Sequence, residues 1–233
     1  MKAVFKREFK SYFTNPLGYI IVAAFTLFAG MAYSKVFASG SPDVRGVVNF
    51  MSTIVIFATP FISMRLLSED RRQKVDQVLF TAPVSITGVV LGKFFAAMAL
   101  YAVGLSALAV FPFITAFYIS IDWVMYLYAL IGILCLGAVM IAIGMFISSL
   151  TESSVVSAAS TFAVFLGVVL FGSYTADSTS KIIAVISKAI LFVDRFYSFV
   201  SGIANLADLV YMLSISALFV FLTVCSVERR RWA

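Results

Sequence analysis

Long apolar runs alternate with short polar ones along this 233-residue chain, and run length rather than period sets the reading. Six runs, at about 17–36, 46–64, 94–119, 124–147, 155–174 and 209–227, are each long enough to cross a hydrocarbon core of roughly 30 Å at about 1.5 Å per helical residue. Pro60 near the end of the second run predicts a kink there, and Pro112 interrupts the third. Gly132, Gly137 and Gly144, with Ala138 and Ala142, give the fourth run small residues for close helix approach, either within the chain or at an oligomer seam. The predicted fold class is all-α and polytopic: one transmembrane domain over 1–233 with six spans.

Three polar stretches break this pattern. Residues 2–13, KAVFKREFKSYF, set Lys2, Lys6 and Lys10 on one helical face against Phe5, Phe9, Tyr12 and Phe13 on the other. Such a helix lies in the membrane surface until Asn15-Pro16 turns the chain upward. Basic start and apolar run together resemble a signal peptide, but the basic region is long and itself amphipathic, so an uncleaved anchor is expected.

The second stretch, about 68–82, opens on Ser68 as a candidate N-cap with Glu69 and Asp70 in the first turn. It adds Arg71, Arg72, Lys74 and Asp76, and runs helically to Pro83, with Val75, Val78 and Leu79 as a narrow apolar edge. It reads either as a docking helix gripped by a partner or as a solvated loop helix that binds nothing. In the third stretch, about 178–205, Lys188 sits in the middle of apolar residues at helical spacing, which excludes a further span. An amphipathic helix on the outer leaflet is expected instead.

Composition narrows the function classes. The chain is 62% hydrophobic and 12% charged, with mean hydropathy +1.06, far from the roughly 25% charged residues of soluble domains. It has no histidine, and its two cysteines, Cys135 and Cys225, lie inside apolar runs. That leaves no zinc site, disulfide framework or Ser-His dyad to build, and no catalytic or metal-binding residue is assigned. GVVLGKF at Gly88–Phe94 departs from a phosphate-binding loop: three residues separate its glycines, and Phe94 stands where Ser or Thr would meet magnesium.

The net charge of +6 follows from topology. With both termini in the cytoplasm, Lys2, Lys6, Arg7, Lys10, Arg65, Arg71, Arg72, Lys74, Lys93 and Arg229 to Arg231 lie inside, twelve basic residues against five outside. The protein is expected in the inner or plasma membrane, with the bilayer and not nucleic acid as its charged neighbour. Residues 94–121, 124–151, 155–176 and 209–227 contain no ionisable side chain among Asp, Glu, Lys, Arg and His. Ion-driven transporters hold their coupling ion with such groups or with broken helices. Energy for any transport must therefore enter from another polypeptide, through the charged stretch.

The whole chain resembles the permease subunit of ABC type-2 exporters, in particular the subgroup with the gliding-motility and nitrous-oxide-reductase maturation permeases. The resemblance rests on FTNPLGYI at Phe13–Ile20, RLLSEDRRQKVDQVLFTAPVS at Arg65–Ser85, Gly92-Lys93, and FYSFVSGIANLADLVY at Phe196–Tyr211. It departs from the family where Lys74-Val75 replaces Gly-Thr and Gln77 an acid. The resemblance implies that 68–82 is a cytoplasmic coupling helix, with Glu69, Asp70, Arg71, Arg72, Lys74 and Asp76 docking to an ATPase, and that Lys6, Arg7 and Lys10 belong to a membrane-surface elbow. It implies a second permease copy, two separately encoded ATPase subunits holding ATP and magnesium, and no cofactor in this chain. An extracytoplasmic accessory protein seated on 178–205 would help select cargo.

Other classes stay open on the residues alone: a scaffold or anchor without transport, a membrane-embedded lipid-processing enzyme built on Glu152, Asp122 and 175–208, or an ion channel. The 24 Phe, 10 Tyr and 9 Met fit lipid-like cargo and ordinary lipid contact alike.

Overall fold

The computed structural model describes residues 1–40, 44–72, 85–176, 192–203 and 205–231. All regular structure among them is helical: α1 Lys2–Thr14, α2 Pro16–Ser39, α3 Val44–Ser63, α4 Ser68–Arg72, α5 Ile86–Gly104, α6 Ser106–Thr115, α7 Trp123–Leu150, α8 Ser154–Ala176, α9 Phe192–Val200 and α10 Leu206–Arg231. Six helical stretches are long and apolar enough to span a membrane: α2, α3 with its continuation into α4, α5 with α6, α7, α8 and α10. The expected class, an all-helical protein with six spans, is what the structure has.

The most apolar span, α7, is the centre post. It packs against α3, α5, α8, α9 and α10. Asp122 caps its start, with the carboxylate accepting from Val124 N at 3.0 Å and Met125 N at 3.2 Å. Its glycines serve packing within the chain. A Cβ at Gly132 would stand 2.6 Å from Phe199 Cβ, at Gly137 2.1 Å from the Tyr101 ring, and at Gly144 2.2 Å from Ser63 Oγ. Each small residue thus receives a side chain from a different neighbour: α9, α5 and α3 respectively.

In the third span the structure departs from the expected limits. The helix begins at Ile86, not near Phe94, because Ser85 is extended (φ −71°, ψ 131°) and helical turns follow it directly. Its break falls at Leu105, between α5 and α6, while Pro112 sits inside α6. Proline has no N–H for the carbonyl of Leu108. Tyr126 of α7 donates its hydroxyl there instead, at 2.5 Å, so the missing helical bond becomes a tie between spans. Tyr101 makes a similar tie, its hydroxyl donating to Ile133 O at 2.6 Å.

The outer amphipathic segment is described in part, since 177–191 lies outside the described residues. Its α9 portion does not lie free on a leaflet. Phe192, Phe196, Phe199 and Val200 are buried, chiefly against α7. Arg195 donates to the buried Asp208 at 2.6 Å, and Arg45 Nη2 reaches Ser201 O at 3.4 Å, closing this end of the bundle.

Glycine substitutions test the centre-post packing. Gly137→Val should cost about 1–3 kcal/mol through overpacking against Tyr101, read as a lower thermal midpoint in detergent. Gly167→Ala, whose Cβ would meet nothing within 4 Å, should leave that midpoint unchanged or raise it.

Candidate functional site

At the end of the bundle that holds both termini, α3 stops at Ser63 and the chain turns through Met64–Leu67 into α4. A helix end strands its last carbonyls, and in a protein that must satisfy every backbone group near lipid their partners are informative. Tyr12 of α1 donates its hydroxyl to Ile62 O at 3.2 Å. Ser148, near the end of α7, donates to Met64 O at 3.1 Å and accepts from Leu67 N at 3.2 Å and Ser68 N at 3.1 Å. One buried hydroxyl from 80 residues away thus pins the turn.

Ser68 was expected as the N-cap, but it is the first residue of α4. Its hydroxyl donates back to Met64 O and lies 3.3 Å from Ser154 Oγ, from which it can accept, so the turn amides fall to Ser148.

The charged residues of this turn divide by direction. Arg65 grips Glu69 with two bonds of 2.7 Å, an i, i+4 pair in the favourable bidentate geometry. Arg71 reaches the α7–α8 turn, with Nη2 on Glu152 Oε1 at 2.8 Å and Nη1 on Leu150 O at 3.1 Å. Asp70 points into the protein, and Arg72 is exposed. Of the residues expected to dock a partner, Glu69, Asp70, Arg71 and Arg72 are therefore assembled here. Lys74 and Asp76 lie outside the described residues.

Asp70 is answered by Lys93. This lysine lies two turns inside α5 and is 1% exposed, its Nζ 2.9 Å from Asp70 Oδ2 and 3.2 Å from Glu8 Oε1. Glu8 also accepts from Arg7 Nη2 at 2.8 Å, and that bond raises the already high pKa of the Arg7 guanidinium. Two cations and two carboxylates thus balance at the meeting of α1, α4 and α5. An uncompensated buried ammonium would cost several kcal/mol. Close approach is possible because Gly92 faces α1: a Cβ there would stand 3.1 Å from Val4 Cβ and 3.2 Å from Met1 O.

Helix α1 accordingly has three faces rather than two. Val4, Glu8 and Tyr12, at i, i+4 and i+8, turn inward, and burial pushes the Tyr12 phenol well above its ordinary pKa. Phe5, Phe9 and Phe13 form an aromatic file continued by Tyr19, with ring centroids 5.9, 5.1 and 5.5 Å apart in turn. Lys6, Arg7 and Lys10, the expected elbow residues, are exposed.

Sequence reasoning missed Glu8, Lys93 and Ser148 as site residues and placed Lys93 among the cytoplasmic cations that set the topology. A lone lysine flanked by LG and FFAA was the available signal. It pointed to a buried partner once the helix was extended back to Ser85. A polar cavity of about 30 Å³, room for a water, lies between Glu8, Ser11, Tyr12, Arg65 and Glu69. Among the described residues, no three of His, Cys, Asp and Glu converge as metal ligands would.

A family model described as ABC-2 type transporter matches residues 1–188. No curated protein matches the chain.

If Ser148 pins the turn, Ser148→Ala strands two buried amides and removes a donor from Met64 O. It should cost about 1–3 kcal/mol, and hydrogen exchange should accelerate at the amides of Leu67 and Ser68 while those of central α7 stay protected.

Proposed function

The chain belongs to the ABC-2 type transporter family, and from that premise we propose that it is an exporter permease worked through its charged turn by separately encoded ATPase subunits. A transmembrane permease component of an ABC transporter, multi-pass and itself no ATPase, is the function the family supplies. The finer reading is ours. Two copies form the path, two ATPases hold ATP and magnesium beneath them, and both termini face the cytoplasm of the inner or plasma membrane. The gliding-motility and nitrous-oxide-reductase maturation subgroup is the proposed kinship, with an extracytoplasmic accessory protein a candidate partner at the opposite end.

The observation that carries this reading is the braced turn at Arg65–Arg72. It shares its end of the bundle with the exposed cations Lys6, Arg7 and Lys10 and with the start of α1. The described cations Lys35, Arg45 and Arg195 belong to the opposite end, at the far ends of α2 and α3 and in α9. This segregation supports a cytoplasmic turn by the positive-inside rule. A docking segment needs charge on its free face and rigid attachment behind it. Arg72 offers the first, and Ser148, Glu152 and Lys93 provide the second. Coupling is then mechanical: closure of the ATPase dimer moves the seated turn, and the spans fastened to it follow.

Arg72→Glu should abolish copurification with the partner ATPase on co-expression while the permease remains folded. Arg71→Glu should weaken it and also release the 150–152 turn. Unchanged assembly and unchanged ATP turnover in the double variant would overturn docking at this turn.

A further inference from the structure

We propose that Lys93 is a positioning residue that clasps the docking turn, the surface helix and the third span into one lever. This deepens the docking reading above and rests on it. Over its described residues, Ser68–Arg72, α4 is tied by side chains to α5, α7 and α8. These attachments orient it. Those to α7 and α8, through Ser148, Ser154 and Arg71–Glu152, hold one side. On the other side, Asp70 reaches Lys93 of α5, and the same ammonium takes Glu8 of α1.

These three elements are separated by 62 and 23 residues in the chain between Glu8, Asp70 and Lys93. A single buried cation joins them. Its burial keeps solvent and salt from screening the contacts, so any displacement of α4 must either carry α1 and α5 along or separate charges in a poorly hydrated place. Carrying them along is the cheaper motion. Asp70 is thereby reassigned, from a contact with the ATPase to the inward hook of the segment that meets it.

A merely stabilising lysine makes a different prediction. Buried ion pairs can be replaced by neutral groups of similar shape without loss, whereas removing one partner leaves orphaned charge. The decisive variant is therefore the neutralised triple Lys93→Met/Glu8→Gln/Asp70→Asn, which leaves only the half-exposed Arg7 charged, with Lys93→Arg as the charge-conserving control.

Spin labels on Lys10→Cys in α1 and Arg72→Cys in α4, in a Cys135→Ala/Cys225→Ala background, report the clasp in the permease alone, in lipid nanodiscs, by pulsed electron resonance. The expected result is a single narrow distance for the parent and Lys93→Arg, lost to a broad distribution in the triple with helicity and thermal midpoint retained. Equal widths in parent and triple overturn the clasp. A second label pair, Lys10→Cys with Ser106→Cys, leaves Arg72 intact for assembly with the ATPase. Its ATP-driven distance change should disappear in the triple although copurification persists, and an undiminished change overturns the lever. If no ATPase binds even the parent, the docking reading fails, while the nanodisc measurement still judges the clasp.

Discussion

A lysine ammonium with 1% exposure must be answered by charge from within the protein, and that requirement organises the working end of this molecule. Lys93 cannot reach water, so Glu8 and Asp70 must come to it. Bringing Glu8 fixes the roll of α1, which in turn aims Tyr12 at the stranded carbonyl of Ile62 and leaves Lys6 and Lys10 outside. Bringing Asp70 fixes the roll of α4, which aims Arg71 at Glu152 and leaves Arg72 exposed. The exposed cations of α1 and α4 follow from a choice made in the interior.

In the spans, too, polar side chains reach backbone groups of neighbouring helices. Tyr126 takes the carbonyl that Pro112 cannot serve, Tyr101 takes Ile133 O, and Ser148 serves three backbone groups at once. Lipid offers no hydrogen bonds, so each of these ties two helices and none is replaceable by solvent. With α7 receiving partners at Gly132, Gly137 and Gly144, the bundle is a post with helices keyed into it. A push on the charged turn is therefore delivered to α7 through Ser148 and to α5 through Lys93.

Much of this was legible in the sequence for a physical reason: run length and charge placement are local, and a bilayer reads them locally. Six spans, the amphipathic α1 and the small-residue face of α7 all follow from residues close in the chain. Lys93 illustrates the limit. As a cation beside Gly92 at the edge of an apolar run it looks solvated, and only Glu8 and Asp70, far off in sequence, make it buried. Ser148 is likewise one serine among several until the end of α3 is set against it. The helix break at Leu105 escaped because Pro112 is the stronger local breaker, and Tyr126 rescues the proline from another helix. Phe196 and Phe199 resemble membrane-surface residues until Gly132 provides a slot.

In the proposed function this chain is a passive transmission, moved by a partner that burns nucleotide. The most direct test of that function is calorimetric titration of the purified permease, with no ATPase subunit present, against magnesium-ATP, together with phosphate release from the same sample. No binding heat and no phosphate above the buffer are expected. Saturable binding with turnover by the chain alone would contradict it.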